Sequence, residues 1–231
     1  MGSAAAKEGA TVGELGPTIT SRVASEIGSR IIDGAYRPGM SLREIPLSEE
    51  LGVSRGSIRE ALRILERDGV VRIEPRKGAS VTELSTDELI EIYQVRSALL
   101  GLAAALACER MDERDHRWLG RKLEDMKAAG EAPEARAAAL HAGISSEMAA
   151  YLIERAANRR LQHLLTQLAP QIARYTRIGV STAERRTESV GTWDALLQAM
   201  ARRDAAAADQ LGRKLVRDTL RFALARIAGL A

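Results

Sequence analysis

Cysteine is almost missing from this chain: there is one in 231 residues, Cys108. A disulfide framework is therefore excluded, and nothing in the sequence calls for an oxidising compartment. Cys108 closes an Ala-rich apolar run that starts at Leu102, and it reads as a small core residue rather than a reactive thiol. Aromatic residues are scarce at 3%, with a single Phe. β-forming residues are thin outside one short stretch, whereas alanine and long charged residues, all good helix formers, abound. No apolar run reaches the ~18 residues expected of a membrane span. Residues 1–16 lack the hydrophobic centre of a signal peptide and are expected to form a disordered arm. These absences predict a mainly α, cytoplasmic protein without membrane contact.

Hydrophobic residues reach 45%, enough for a sizeable core, and the length suits two domains. The net charge of +3 permits a polyanionic partner without requiring one. Residues 17–82 carry 11 basic and 9 acidic side chains, so position rather than number must decide what the basic residues do.

Ile19, Val23, Ile27 and Ile31 recur every four residues and mark one face of a helix that Asp33-Gly34 ends. A short helix over 45–51 stops at Gly52. Ser54 caps a third helix that runs to about Asp68. The Val70-to-Ile73 stretch, the basic turn from Pro75 to Gly78 and the run 79–82 read as a two-stranded hairpin. Three helices and a hairpin in about 65 residues form a winged helix-turn-helix. Beyond the linker Glu83-Leu84, six helices are expected between Ser85 and Ile227, the first opened by a capping box from Ser85 to Glu88.

A helix can enter the major groove of DNA when its leading residues are small or can bond phosphates and base edges. Ser54, Arg55, Gly56, Ser57 and Arg59 meet that condition at the start of the third helix, with Val53, Ile58, Leu62 and Leu65 on the buried side. The exposed amides of such a helix start can also hold a phosphate. Arg63 and Arg67 continue the arginine stripe, and they can equally be a solvated face paired with Glu60 and Glu66. Arg76, Lys77 and Gly78 at the hairpin tip suit a minor-groove or phosphate contact. The chain carries no phosphate loop, nucleophile elbow or metal-hydrolase helix motif, and an enzyme is not expected.

The segments IIDGAYRPGMSLRE (31–44) and LGVSRGSIREALRILERDGV (51–70) resemble the signature of the GntR family of transcription regulators. The resemblance implies a homodimer that binds a palindromic double-stranded operator and releases it under control of a small-molecule effector. Ser54, Arg55, Gly56, Ser57 and Arg59 match that family's recognition-helix contacts, and Gly78 matches its wing-tip glycine. The family often has an arginine ten residues before Arg55. Ile45 stands there, and the nearby Arg43 is the candidate substitute.

The segments EIYQVRSAL (91–99) and LIERAANRRL (152–161) resemble the FCD effector domain of the FadR branch, and six helices match its shorter, VanR-like subgroup. An antiparallel helical bundle over residues 83–231 follows, used for effector binding and dimerisation. Most such domains hold a divalent metal with one Asp and three His. Anchored on Asn158, those positions fall at Ser145, Ala149, Trp193 and Lys214, so all four donors are replaced and no metal cofactor is expected. His116, His141 and His163 fall outside the pattern and read as surface or packing residues. Trp193 would fill the volume of the metal and Lys214 would supply positive charge to an anionic or aromatic effector, with Tyr93, Arg96 and Arg174 as inward-facing partners. Trp193 as plain core, Lys214 as a solvated residue and a collapsed pocket are the alternatives.

Overall fold

A computed structural model describes residues 18–229. The expected arm, residues 1–16, lies outside them. The first helix, α1 (Ile19–Ile32), starts where the Thr18 side chain accepts from the Ser21 amide. Its buried stripe holds Val23, Ile27 and Ile31 from the sequence pattern, while Ile19 lies exposed at the open end. A turn leads to β1 (Ser41–Leu42), α2 (Glu44–Leu51) and α3 (Arg55–Arg67). Between α2 and α3 the chain reverses at Gly52, whose φ of 64° is left-handed and favours glycine.

Strands β2 (Val71–Glu74) and β3 (Gly78–Val81) form the expected hairpin, with Glu74 opposite Gly78. The structure corrects the two-stranded picture. β1 pairs antiparallel with the free edge of β3, Leu42 opposite Ala79, and the sheet order is β1-β3-β2. Two residues are too few to show alternation, which is why β1 left no sequence signal. Ile27, Ile58, Ala61, Leu62, Val71 and Val81 pack into one core between the three helices and the sheet.

No regular structure spans residues 82–85. Six helices then form the second unit: α4 (Thr86–Arg110), α5 (Glu113–Ala128), α6 (Glu134–Arg155), α7 (Arg159–Ile178), α8 (Ala183–Ala201) and α9 (Ala205–Ile227). Five of them begin at a side-chain cap: Ser85, Asp112, Asn158, Thr182 and Asp204 each accept a backbone N–H of the first turn. Each such cap is worth about 1 kcal/mol. The boxes at Ser85–Glu88 and Asp112–Asp115 are reciprocal. A single 3-10 turn (Ala129–Glu131) joins α5 to α6.

α4 and α9 pack along each other at close range. Ala103, Ala104 and Ala107 are wholly buried, and a side chain added at Gly212 would stand 3.1 Å from the Leu100 carbonyl. The alanine run of α4 is therefore internal core. By length and a mean hydropathy of 1.4 this helix would pass for a membrane span. Its small-residue face against α9 instead makes it the centre of a helical bundle.

Candidate functional site

The first candidate surface is the start of α3 with the hairpin tip. Ser54 caps α3, its Oγ accepting from the Ser57 amide at 3.1 Å and lying 3.0 Å from the Ser57 Oγ. Ile58, Ala61, Leu62 and Leu65 hold the opposite face in the core, which leaves Arg55 and Arg59 outward. Arg59 is not loose. Its Nε and Nη2 donate to the two carboxylate oxygens of Glu44 on α2 at 2.8 and 2.7 Å. This fork holds the Glu44 carboxyl below its ordinary range and fixes the guanidinium between α3 and α2.

The tip of the hairpin is a turn in which the Lys77 amide donates to the Glu74 carbonyl at 3.2 Å. Pro75 and Arg76 are its central residues, and Arg76 has φ 68°. Position i+2 of this type II turn ordinarily takes glycine or asparagine. An arginine there costs about 1–2 kcal/mol of backbone strain, so the turn carries a charge where a neutral glycine would fold more easily. Gly78 follows at φ 84°, and a Cβ added there would meet nothing within 4 Å.

A groove of about 530 Å³ between α3 and the hairpin is lined by Arg43, Glu44, Arg59, Arg63, Lys77 and Gly78, among others. Residues far apart in sequence thus meet on one surface. Within it Arg63 pairs with Glu60 and Lys77 with Glu74. Arg43, Arg55 and Arg76 are exposed and carry no ion pair among the described residues. Ile45 is exposed on α2, and Arg43 stands immediately before that helix.

The second candidate site lies inside the helical unit. Of the four positions where related domains hold metal, the structure joins two. Trp193 is buried on α8, and its Nε1 donates to Ser145 Oγ of α6 at 3.2 Å. Ala149 is buried one turn further along α6. Lys214 requires a correction. It is exposed and pairs with Asp218 on its own helix, so it does not supply charge to the interior. A hydroxyl already engaged by an indole, a methyl group, the indole itself and an outward ammonium do not fit a divalent metal. Among the described residues no three His, Cys, Asp or Glu side chains converge as a metal site.

Tyr93 is buried with its hydroxyl 3.4 Å from Thr176 Oγ1. Arg96, one turn on, is half-buried, has no hydrogen bond or ion pair among the described residues, and has its pKa lowered by burial. Arg174 is a second correction. It lines a cavity of about 390 Å³ between the two units and stands over the Tyr175 ring, not over the bundle interior.

Sequence reasoning missed the most polar part of this interior. His141, Arg185, Arg186 and Ser189 are all buried. His141 is a packing residue as expected, but not an apolar one: its Nε2 lies 2.9 Å from Ser189 Oγ. Burial and the charges of Arg185 and Arg186 push its pKa down to about 4, so the ring is neutral. The spacing 185, 189, 193 on α8 against 141, 145, 149 on α6 was the available signal, since i and i+4 share a helix face.

Comparison with known proteins agrees with this architecture. Residues 19–81 match the bacterial regulatory proteins of the gntR family, and residues 91–218 match the FCD domain. The chain is 30% identical over 174 residues to the HTH-type transcriptional regulator YdhC of Bacillus subtilis, covering 72% of this chain and 73% of that one. The solved structure of McbR/YncC from E. coli has the same fold, with a TM-score of 0.77 at 23% identity over 91% of this chain and 99% of the other. A GntR regulator from Rhodococcus sp. RHA1 follows at 0.72 and 21%, over 89% and 97%. A winged helix-turn-helix joined to a six-helix effector domain, with these relatives, makes the chain a transcriptional regulator, not an enzyme, and a member of the GntR family with an FCD domain.

Proposed function

We propose that this protein is a cytoplasmic, homodimeric regulator that reads a palindromic operator through α3 and the hairpin tip and is released or retained by a small anionic or aromatic effector held without metal. The observation that carries the DNA assignment is the set of exposed arginines without ion pairs among the described residues: Arg43 before α2, Arg55 at the Ser54-capped start of α3 and Arg76 at the hairpin tip. Arg55 is the base-reading candidate. Arg59, forked on Glu44, is a pre-set partner for a guanine edge or a phosphate. A Cβ added at Gly56 would make only an ordinary contact with Ser54 Oγ, at 3.7 Å, so the fold does not require glycine here and its small size suits close approach of the duplex. Lys77, Arg76 and Gly78 address the backbone.

Dimerisation is supported by an apolar stripe on the outer side of α4, where Val95 and Leu102 are 53% and 42% exposed. Absence of metal is supported by the loss of all four donors. Selection of bound fragments from genomic DNA supplies the operator, and binding is then measured against salt. Arg55→Ala should weaken specific binding by ~5–150-fold, the equivalent of about 1–3 kcal/mol for one bidentate base contact. Lys77→Ala should lower affinity for all sequences alike and reduce the slope of log K against log salt by about 0.9. Unchanged affinity in the Arg55 variant would remove α3 as the reading element.

A further inference from the structure

We infer that Arg185 anchors the carboxylate of a monoanionic ligand, in a site displaced along α6 and α8 from the positions where related domains bind metal. The inference rests on reading the helical unit as effector-binding, and it names the group that would do the binding. Two ladders face each other across the interior, His141, Ser145 and Ala149 on α6 and Arg185, Ser189 and Trp193 on α8. The rungs are the 2.9 Å contact of His141 with Ser189 and the 3.2 Å bond from Trp193 to Ser145. At the Trp193 end the ladder is filled by the indole.

At the other end it is not satisfied. Arg185 is 2% exposed, yet its Nε and Nη1 have no hydrogen-bond partner among the described residues. The nearest carboxylate is Glu188, 3.7 Å away from Nη1 and itself largely exposed. Asp218 on α9 also faces Arg185 electrostatically, but it is shared with Lys214 and Arg221. Beside it, Arg186 is spent on Glu134 and on the carbonyls of Val180 and Ser181, while its Nε and the Ser181 hydroxyl stay unpaired.

Buried polar groups are almost always bonded, and a buried guanidinium with two nitrogens left without a hydrogen bond is a costly exception. A planar carboxylate is the group whose geometry an arginine matches best. A single negative charge suits the site, because Glu188 and Asp218 already offset part of the two guanidinium charges. The neutral His141 and Ser189, one turn along, can bond a hydroxyl or amide on the same ligand. In this site a fixed protein cation would take the part that a bound metal plays in related domains.

The test is thermal unfolding of the full chain with acetate, benzoate or glycolate, and separately with inorganic phosphate. It is run on wild type, Arg185→Met and Arg185→Lys. At least one carboxylate should raise the wild-type melting temperature by about 5–10 °C at a hundredfold excess over its Kd. That shift should vanish in Arg185→Met and shrink in Arg185→Lys, which keeps the charge and loses the fork. Without ligand, Arg185→Met should melt no lower than wild type, because it removes a buried charge that Glu188 and Asp218 only partly offset. No shift with any carboxylate, an equal shift in the Met variant, or a shift with phosphate alone overturns the inference. Operator binding by wild type is measured in parallel. Its failure would instead sink the regulatory reading, and the melting data would stand apart from it.

Discussion

At the scale of the residue, the two units solve opposite problems with arginine. Around α3 the guanidinium groups are exposed: Arg59 is forked on Glu44, Arg63 is paired with Glu60, and Arg55 is left without an ion pair. Inside the bundle Arg185 and Arg186 are buried, and their field reaches His141. Burial first, then those two charges, depress the His141 pKa to about 4. The folded protein therefore holds this proton less readily than the unfolded chain does. His141 contributes its stability in full above about pH 6.5, loses it as pH falls, and loses no more below about pH 4. The window corresponds to about 3 kcal/mol at most. Chemical unfolding at pH 7, 5.5 and 4 should show wild type losing that stability relative to His141→Gln, and parallel profiles would contradict a buried neutral imidazole.

At the scale of the element, tight helix contacts rest on glycines that the sequence does not distinguish from ordinary ones. A methyl group on Gly179, at the end of α7, would stand 2.5 Å from the Thr219 carbonyl oxygen of α9. One on Gly120, within α5, would meet nothing within 4 Å. Gly179→Ala should destabilise by about 1–3 kcal/mol through overpacking. Gly120→Ala should stabilise by about 0.5–1 kcal/mol through helix propensity alone. Opposite signs in the two melting temperatures are the check, and a stabilising Gly179→Ala would show that α7 and α9 do not approach this closely. Some helix starts were legible because caps are chemical: Ser54 and Ser85 announce α3 and α4. The candidate DNA-facing residues were nameable for the same reason, since Ser54 to Arg59 stand at a helix start, and the structure leaves Arg55 and Arg59 exposed there. What was not legible is three-dimensional. β1 is too short to have a period. Lys214 and Arg174 sit on amphipathic helices where a register error of one residue turns a side chain outward. Arg185 becomes conspicuous only when its missing partners are seen, and a linear sequence does not record them.

At the scale of the whole molecule, α7 is the element that touches both units. Arg177 bridges to Asp33 at the end of α1. Gln171 packs against Gly69, and Pro170, Gln171, Arg174 and Tyr175 line the cavity between the units. The same helix offers Thr176 to Tyr93 in the bundle. Arg177→Ala should loosen the docking of the DNA-binding unit while leaving each core intact. Limited proteolysis within residues 82–85 should then accelerate by up to about fivefold, the most an exposed ion pair can supply, and an unchanged rate would mean the bridge does not hold the units together. The placement of the two tryptophans adds an optical consequence. Trp118 stacks on Tyr151 with ring centroids 4.1 Å apart, and Trp193 lies buried beside Ser145. Both belong to the helical unit, and the chain has only these two. The winged helix-turn-helix unit is therefore dark in indole fluorescence, and any emission change that begins in it has travelled through the linker or α7 before it is seen.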